Sequence, residues 1–136
     1  MSVEKITVID DVNYTAWCYP KQRLIQHEWH QYCMGDSFRK SMTVAFAAFE
    51  QYNCDKWLSD DRHFLGAIAP EDWQWCESEF SGRGIWARWK FSAMVMPASA
   101  LARISLQSLI TYFASKGVDA RFFSDFDEAA TWIRQH

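Results

Sequence analysis

Trp89-Lys90-Phe91-Ser92-Ala93-Met94-Val95-Met96, closed by Pro97, is the stretch on which the fold turns. It leans apolar on both alternations rather than one, the pattern of a strand covered on both faces, and such strands sit inside sheets flanked by helices. It should therefore be central. Beyond it, Ser99 to Ser115 has helical spacing, with Leu101, Leu109, Ile110 and Phe113 directed inward and Gly117 able to take the left-handed closing conformation. Val118 to Phe123 is the last strand. The final helix opens at Asp125-Phe126-Asp127-Glu128, a capping-box arrangement worth roughly 1 kcal/mol, and its buried stripe is Phe126, Ala129, Ala130 and Ile133.

On the N-terminal side, Pro70 opens a helix whose Glu71 and Asp72 suit the positive end of its dipole. Before it come the short strand Lys56-Trp57-Leu58-Ser59 and the polar stretch Asp60 to His63. From Asp36 the residues Phe38, Met42, Ala45, Phe49 and Tyr52 recur at steps of four and three, which stacks them on one helical face. Asp36 can cap that helix and Asn53 can close it. The chain begins with three segments rich in β-branched and aromatic residues, Val3 to Ile9, Tyr14 to Tyr19 and Arg23 to Trp29. Turn chemistry at Asp10-Asp11-Val12-Asn13 and at Pro20-Lys21-Gln22 makes them an antiparallel meander.

The resulting order, β-β-β-α-β-α-β-α-β-α, describes an α/β protein with a mixed sheet of about six strands and about four helices. The later strands are joined through helices and must be largely parallel. No repeat, low-complexity tract or linker interrupts residues 1–136, which read as a single domain.

Composition narrows the function classes. Hydrophobic residues make up 49% and charged residues 23%, and no stretch of about 18 apolar residues could span a bilayer. Met1 to Lys5 shows no secretory h-region, so a cytoplasmic location is expected. Cys18, Cys33, Cys54 and Cys76 lack any Cys-x-x-Cys spacing and read as reduced, mostly buried thiols. A net charge of -3 offers no general attraction to nucleic acid or anionic lipid. Eight tryptophans are many for 136 residues, and indoles are favoured in cores and in binding pockets alike.

Three segments, Lys56-Trp57-Leu58-Ser59-Asp60-Asp61-Arg62, Pro70-Glu71-Asp72-x-x-Trp75 and Phe123-Ser124-Asp125-x-x-Glu128-Ala129-x-x-Trp132-Ile133, taken with the element order, resemble the SpoIIAA-like family of bacteria. The resemblance implies a fold shared with STAS domains and akin to the CRAL-TRIO lipid-binding domains. STAS switches carry a phosphorylatable serine after a central strand, within Asp-Ser-Ser-Gly or a close variant, and Ser59 lies near that place. Here Asp60-Asp61-Arg62 follows instead, with no paired serine and no glycine, a departure from the switch motif.

The loop of Ser59, Asp60, Asp61, Arg62 and His63 is the leading candidate site, because ligands of α/β sheets gather beyond the carboxyl ends of the strands. The alternative is that Ser59 or Asp60 caps local backbone and Asp61 pairs with Arg62 or another cation. The second helix carries Trp73, Cys76 and Phe80 on one face and directs Trp75 elsewhere. By the CRAL-TRIO comparison, Trp73, Trp75, Phe80 and Trp86 could border an apolar ligand site; otherwise they are core. His27 and His30 point to opposite faces of a strand, so no metal is expected. Cys33 has no neighbouring context to lower its thiol pKa. Arg83 to Lys90 interleaves cations and indoles as single-strand binders do, yet Arg83 and Arg88 also suit a helix C-terminus and Trp86 and Trp89 a core, and no nucleic acid is expected.

The expectation is thus a non-catalytic domain without cofactor, binding a small apolar or amphipathic ligand between helices and sheet. A STAS-like protein-interaction module is the alternative. An enzyme would need Asp60 or Asp61 as a base beside His63, with Arg62 holding an anion. Peripheral membrane contact and a homodimer remain open.

Overall fold

The computed structural model describes residues 4–96 and 100–136, and over 100–107 the helical backbone alone. Four expectations lie outside the described residues: the first strand's start at Val3, Pro97 as terminator, the helix start at Ser99 and the inward turn of Leu101.

The strands are β1 (Ile6–Asp10), β2 (Tyr14–Tyr19), β3 (Leu24–Trp29), β4 (Lys56–Asp60), β5 (Phe91–Val95) and β6 (Asp119–Phe123). The helices are α1 (Asp36–Gln51), α2 (Pro70–Gly82), α3 (Ala100–Ser115) and α4 (Phe126–Arg134). All six strands form one mixed sheet in the order β1-β2-β3-β4-β5-β6. The β1-β2 and β2-β3 pairings are antiparallel, while β3-β4, β4-β5 and β5-β6 are parallel. The quoted stretch contains β5, Phe91–Val95, an interior strand between β4 and β6, with Trp89 and Lys90 before it and Met96 after it.

Sequential parallel strands joined by right-handed crossovers all step the same way, which sends every crossover helix to one face. Accordingly Phe38, Phe46 and Phe49 of α1, Cys76 and Phe80 of α2 and Phe113 of α3 share one core with Tyr14, Ile25, Trp57 and Met94 of the sheet. The last helix follows the final strand and is free to cross. Ala129, Ala130 and Ile133 of α4 pack with Leu58, Ala93 and Val95 on the opposite face.

Local chemistry sets the boundaries. Asp125 caps α4, its carboxylate accepting from the Glu128 N–H at 3.1 Å. Gly117 closes α3 at φ 86°, and Asn53 turns the chain after α1 at φ 53°. One cap differs from expectation. The N-cap of α1 is Gly35, at φ 65°, and Asp36 is the first helical residue. Glycine takes that left-handed turn without a Cβ penalty, and the Gly35 N–H is satisfied from afar, donating to Asp72 Oδ2 of α2 at 2.8 Å. Asp72 also accepts from Arg39 Nε at 2.9 Å, which ties the first turns of α1 and α2 together.

Candidate functional site

Strand β4 lies fourth of six, and its last two residues are Ser59 and Asp60, at the carboxyl edge of the parallel half of the sheet. Side chains alternate along a strand, so these neighbours part company. Ser59 joins the α1 face, beside His27 of β3, its partner in register. Asp60 joins the α4 face, where Arg62 grips it through Nε to Oδ1 at 2.9 Å and Nη2 to Oδ2 at 2.7 Å, with the guanidinium over the Phe126 ring. That fork raises the Arg62 pKa further. Asp60 also accepts from the Arg62 N–H at 3.2 Å, the local backbone cap expected as its alternative role. The option that Asp61 pairs with Arg62 fails, because the strand's alternation hands the guanidinium to the residue two before it. Neither Asp60 nor Asp61 has a hydrogen bond to His63 among the described residues.

On the α1 face a buried chain of polar side chains runs outward. Tyr14 Oη lies 2.7 Å from His27 Nδ1, and the Trp57 Nε1–H donates to that same nitrogen at 3.2 Å. His27 Nε2 lies 2.7 Å from Ser59 Oγ, which donates to Asp61 Oδ1 at 2.6 Å. An indole can only donate, so Nδ1 is an acceptor, Nε2 carries the proton, and Tyr14 gives its hydroxyl hydrogen to the ring. Every donor then points toward Asp61. In this polarity His27 hands a proton's share to Ser59 instead of withdrawing one, the reverse of what activation of a serine nucleophile demands.

Tyr14 is completely buried, and burial pushes its phenol well above the ordinary value, with Asp61 and Asp11 adding to the effect. Tyr112 moves the same way, to about 12, through burial and its bond to Glu77. For an acid whose folded pKa is raised, the unfolded chain loses its proton first, so the stabilisation is complete below the unfolded value of about 10 and declines above it. Unfolding free energy measured by denaturant titration should thus be set by other groups near neutrality and fall above pH about 10. Tyr14→Phe should flatten that alkaline decline; an identical slope in the variant would contradict the assignment.

Around this chain the carboxyl edge presents the four exposed large apolar side chains among the described residues: Val12 (81% exposed), Tyr32 (37%), Met34 (58%) and Leu65 (72%). They belong to three loops that hold one another. Gln31 bonds Asn13, and the His30 N–H donates to the Asn13 carbonyl at 2.9 Å. Tyr32 donates its hydroxyl hydrogen to the Ala67 carbonyl at 2.8 Å and packs on Phe64 with ring centroids 4.8 Å apart. Gly66 is needed there: at φ 146°, a Cβ would come within 3.0 Å of the Tyr32 ring. On or next to these loops Asp10, Asp11, Asp36 and Glu71 are exposed and Asp61 is half-buried, together with exposed Arg62 and His63.

The aromatic residues of α2 are engaged with their neighbours. Phe80 is buried, 4.9 Å from Trp86 and 5.3 Å from Phe46. Trp73 leans on Tyr112 of α3 at 5.6 Å, whereas Trp75 turns to Phe46 of α1 at 5.9 Å beneath the Arg39 guanidinium. Trp73, Trp75 and Trp86 are all half-buried. Two surface hollows, of about 380 and 360 Å³, lie elsewhere, one along α4 at Asp125, Asp127 and Trp132, the other at the amino edge of the sheet.

The remaining candidates have ordinary partners. His30 Nε2 meets Thr15 Oγ1 at 2.8 Å, and all four cysteines are free and buried. Burial raises the Cys33 thiol and, helped by Asp72, pushes Cys76 up to about 12, so neither is poised as a thiolate. Arg83 pairs with Glu50 at 2.9 Å, and Trp86 stacks on Trp89 at 5.8 Å. No helix among the described residues is long and apolar enough to cross a membrane. No protein-family model, no curated protein and no solved structure matches the chain.

Proposed function

We propose that this chain is a non-catalytic protein-interaction module of SpoIIAA-like type that docks its partner on the carboxyl edge of the sheet. The observation that carries the reading is the gathering of Val12, Tyr32, Met34 and Leu65 on three mutually bonded loops at that edge. Exposed apolar groups scattered singly need no explanation, but an apolar centre within a polar rim is the anatomy of an interface. Exposed Asp10, Asp11, Asp36 and Glu71 outnumber the exposed Arg62 at this edge, which favours a partner that brings apolar side chains inside a cationic border and disfavours nucleic acid or anionic lipid. The direction of the Tyr14–His27–Ser59–Asp61 chain adds support, because it fixes a rim carboxylate without arming a nucleophile.

The STAS-type resemblance has the element order and the mixed sheet on its side. An apolar ligand between helices and sheet is the second reading, supported by the half-buried Trp73, Trp75 and Trp86.

The test uses the intact chain as bait for proteins from a bacterial lysate, beside Met34→Asp/Leu65→Asp and a remote Lys116→Gln control. A specific partner should be retained by the wild type and the control and lost by the double variant. Hydrogen exchange with that partner should show protection at residues 11–13, 30–35 and 61–67. Equal recovery by the double variant, or protection on the α2 face, would sink the reading.

A further inference from the structure

The hollow of about 360 Å³ lies at the opposite, amino edge of the sheet and is lined by Lys21, Gln22, Arg23, Leu24, Asp55, Lys56, Arg134 and His136. Its volume falls within the range of small-molecule sites, ~300–1,000 Å³. Four cationic side chains share it with a single side-chain carboxylate, in a chain whose net charge is -3. That carboxylate is spoken for. Lys56, buried to 6% exposure, donates to Asp55 Oδ1 at 2.8 Å and to the Gln22 carbonyl at 3.0 Å. Asp55 thus neutralises a lysine beneath the floor, and its Oδ2 also lies 3.7 Å from Arg23 Nη2, so Lys21, Arg134 and a shared Arg23 carry the surplus positive charge of the hollow.

Arg134 has no ion pair among the described residues, whereas Arg23 shares Asp55 with Lys56. Arg134 uses Nε on Gln22 Oε1 at 3.2 Å and stands over the Tyr19 ring at 5.3 Å, while Lys21 is exposed with no ion pair among the described residues. Arg23 is a non-glycine residue in the left-handed region, at φ 55°. Its carbonyl accepts from both Asp55 and Lys56, at 3.0 and 3.1 Å, and its Nε donates to the Asn53 carbonyl at 3.2 Å. Non-glycine residues rarely adopt that conformation, and they gather at ligand clamps. Beside them His136 stacks on Phe91 at 4.1 Å and 15°, which adds a flat aromatic wall.

We propose that this hollow binds a small phosphate-bearing molecule, its dianionic group held by Lys21, Arg23 and Arg134. Guanidinium forks match phosphate oxygens in geometry and a lysine supplies a point charge. Surplus positive charge beyond what one monoanion neutralises selects phosphate over a simple carboxylate. The site is at the other end of β4 from the docking edge, so its failure and the failure of the interaction reading are separate results.

The experiment is isothermal titration of the intact protein with inorganic phosphate, with sodium acetate and sodium chloride at matched ionic strength as comparators. Amide shifts by NMR report the location. Phosphate should bind saturably, with shifts centred on residues 21–24, 55–56 and 134–136, and acetate should not. Arg134→Gln and Lys21→Gln are surface changes that keep the fold, as circular dichroism should verify. Each should weaken phosphate at least about tenfold, the loss of one charge-assisted hydrogen bond, while Lys40→Gln on α1 leaves it unchanged. The proposal is overturned by unsaturable phosphate shifts, by equal responses to chloride, or by equal weakening in Lys40→Gln. It is also overturned if a single-stranded oligothymidine occupies the same residues more tightly than phosphate does.

Discussion

Phe46→Ala should destabilise the protein by about 3–5 kcal/mol, the usual cost of emptying a fully buried phenylalanine site. Phe46 is completely buried on α1, with ring centroids 6.0 Å from Trp57 of β4, 5.9 Å from Trp75 and 5.3 Å from Phe80 of α2. It is, with Phe38, a side chain through which the sheet, α1 and α2 meet. Truncation would leave a void between two indoles and a phenyl ring, and rigid rings collapse poorly into such a space. For a domain of this size the melting temperature should drop by roughly 10–20 °C. Leu65→Ala, at the exposed edge, should stay within about 0.5 kcal/mol. Chemical denaturation measures both, and a Phe46→Ala loss under about 1 kcal/mol at unchanged m-value would mean that the aromatic cluster is not the keystone of this face.

The strength of that cluster bears on what the sequence made legible. β2 runs from Tyr14 to Tyr19, and the Asp125 cap and the stripe of α4 stand where turn chemistry and periodicity put them. These signals are local, so a short window carries them. The cap of α1 escaped because its decisive contact, Gly35 with Asp72, spans two helices, and Asp36 beside it looked equally suitable. The direction of Trp75 escaped for a related reason. Helical spacing separates it from the Cys76–Phe80 stripe, but only the presence of α1 next door decides that this second face also meets aromatic rings.

The candidate site was half legible. A polar loop after a central strand is readable, and Asp61 to His63 do follow the end of β4, while Ser59 and Asp60 belong to the strand itself. How its members divide was not, because the strand continues one residue further than its apolar run and sends Ser59 and Asp60 to opposite faces. His27 and Ser59 are 32 residues apart in different strands, and only the parallel register of β3 on β4 makes them neighbours. The apolar tips Val12, Met34 and Leu65 look in sequence like any lone hydrophobe. The basic hollow draws on three separate stretches of chain and has no motif at all.

The buried polar chain supports the second large prediction. His27→Ala removes the acceptor for both the Tyr14 hydroxyl and the Trp57 indole and takes away the donor to Ser59. Stranding a buried donor costs about 1–3 kcal/mol, and an empty imidazole site adds a cavity term, so a total loss of about 3–5 kcal/mol is expected. Tyr14→Phe should cost far less, near 1 kcal/mol, because Trp57 still donates to Nδ1 and no donor is orphaned. If the chain acts as one unit, the double variant Tyr14→Phe/His27→Ala should lose less than the sum of its parts by 1–2 kcal/mol, roughly the relief of no longer stranding the phenol. Ser59 would keep Asp61 but lose its own inward anchor, so amide exchange across residues 61–65 should quicken in His27→Ala and remain slow in Tyr14→Phe. Strict additivity of the two substitutions, together with unchanged exchange in that loop, would reduce the chain to separate pairwise contacts and remove the link by which the sheet interior fixes Asp61 at the docking edge.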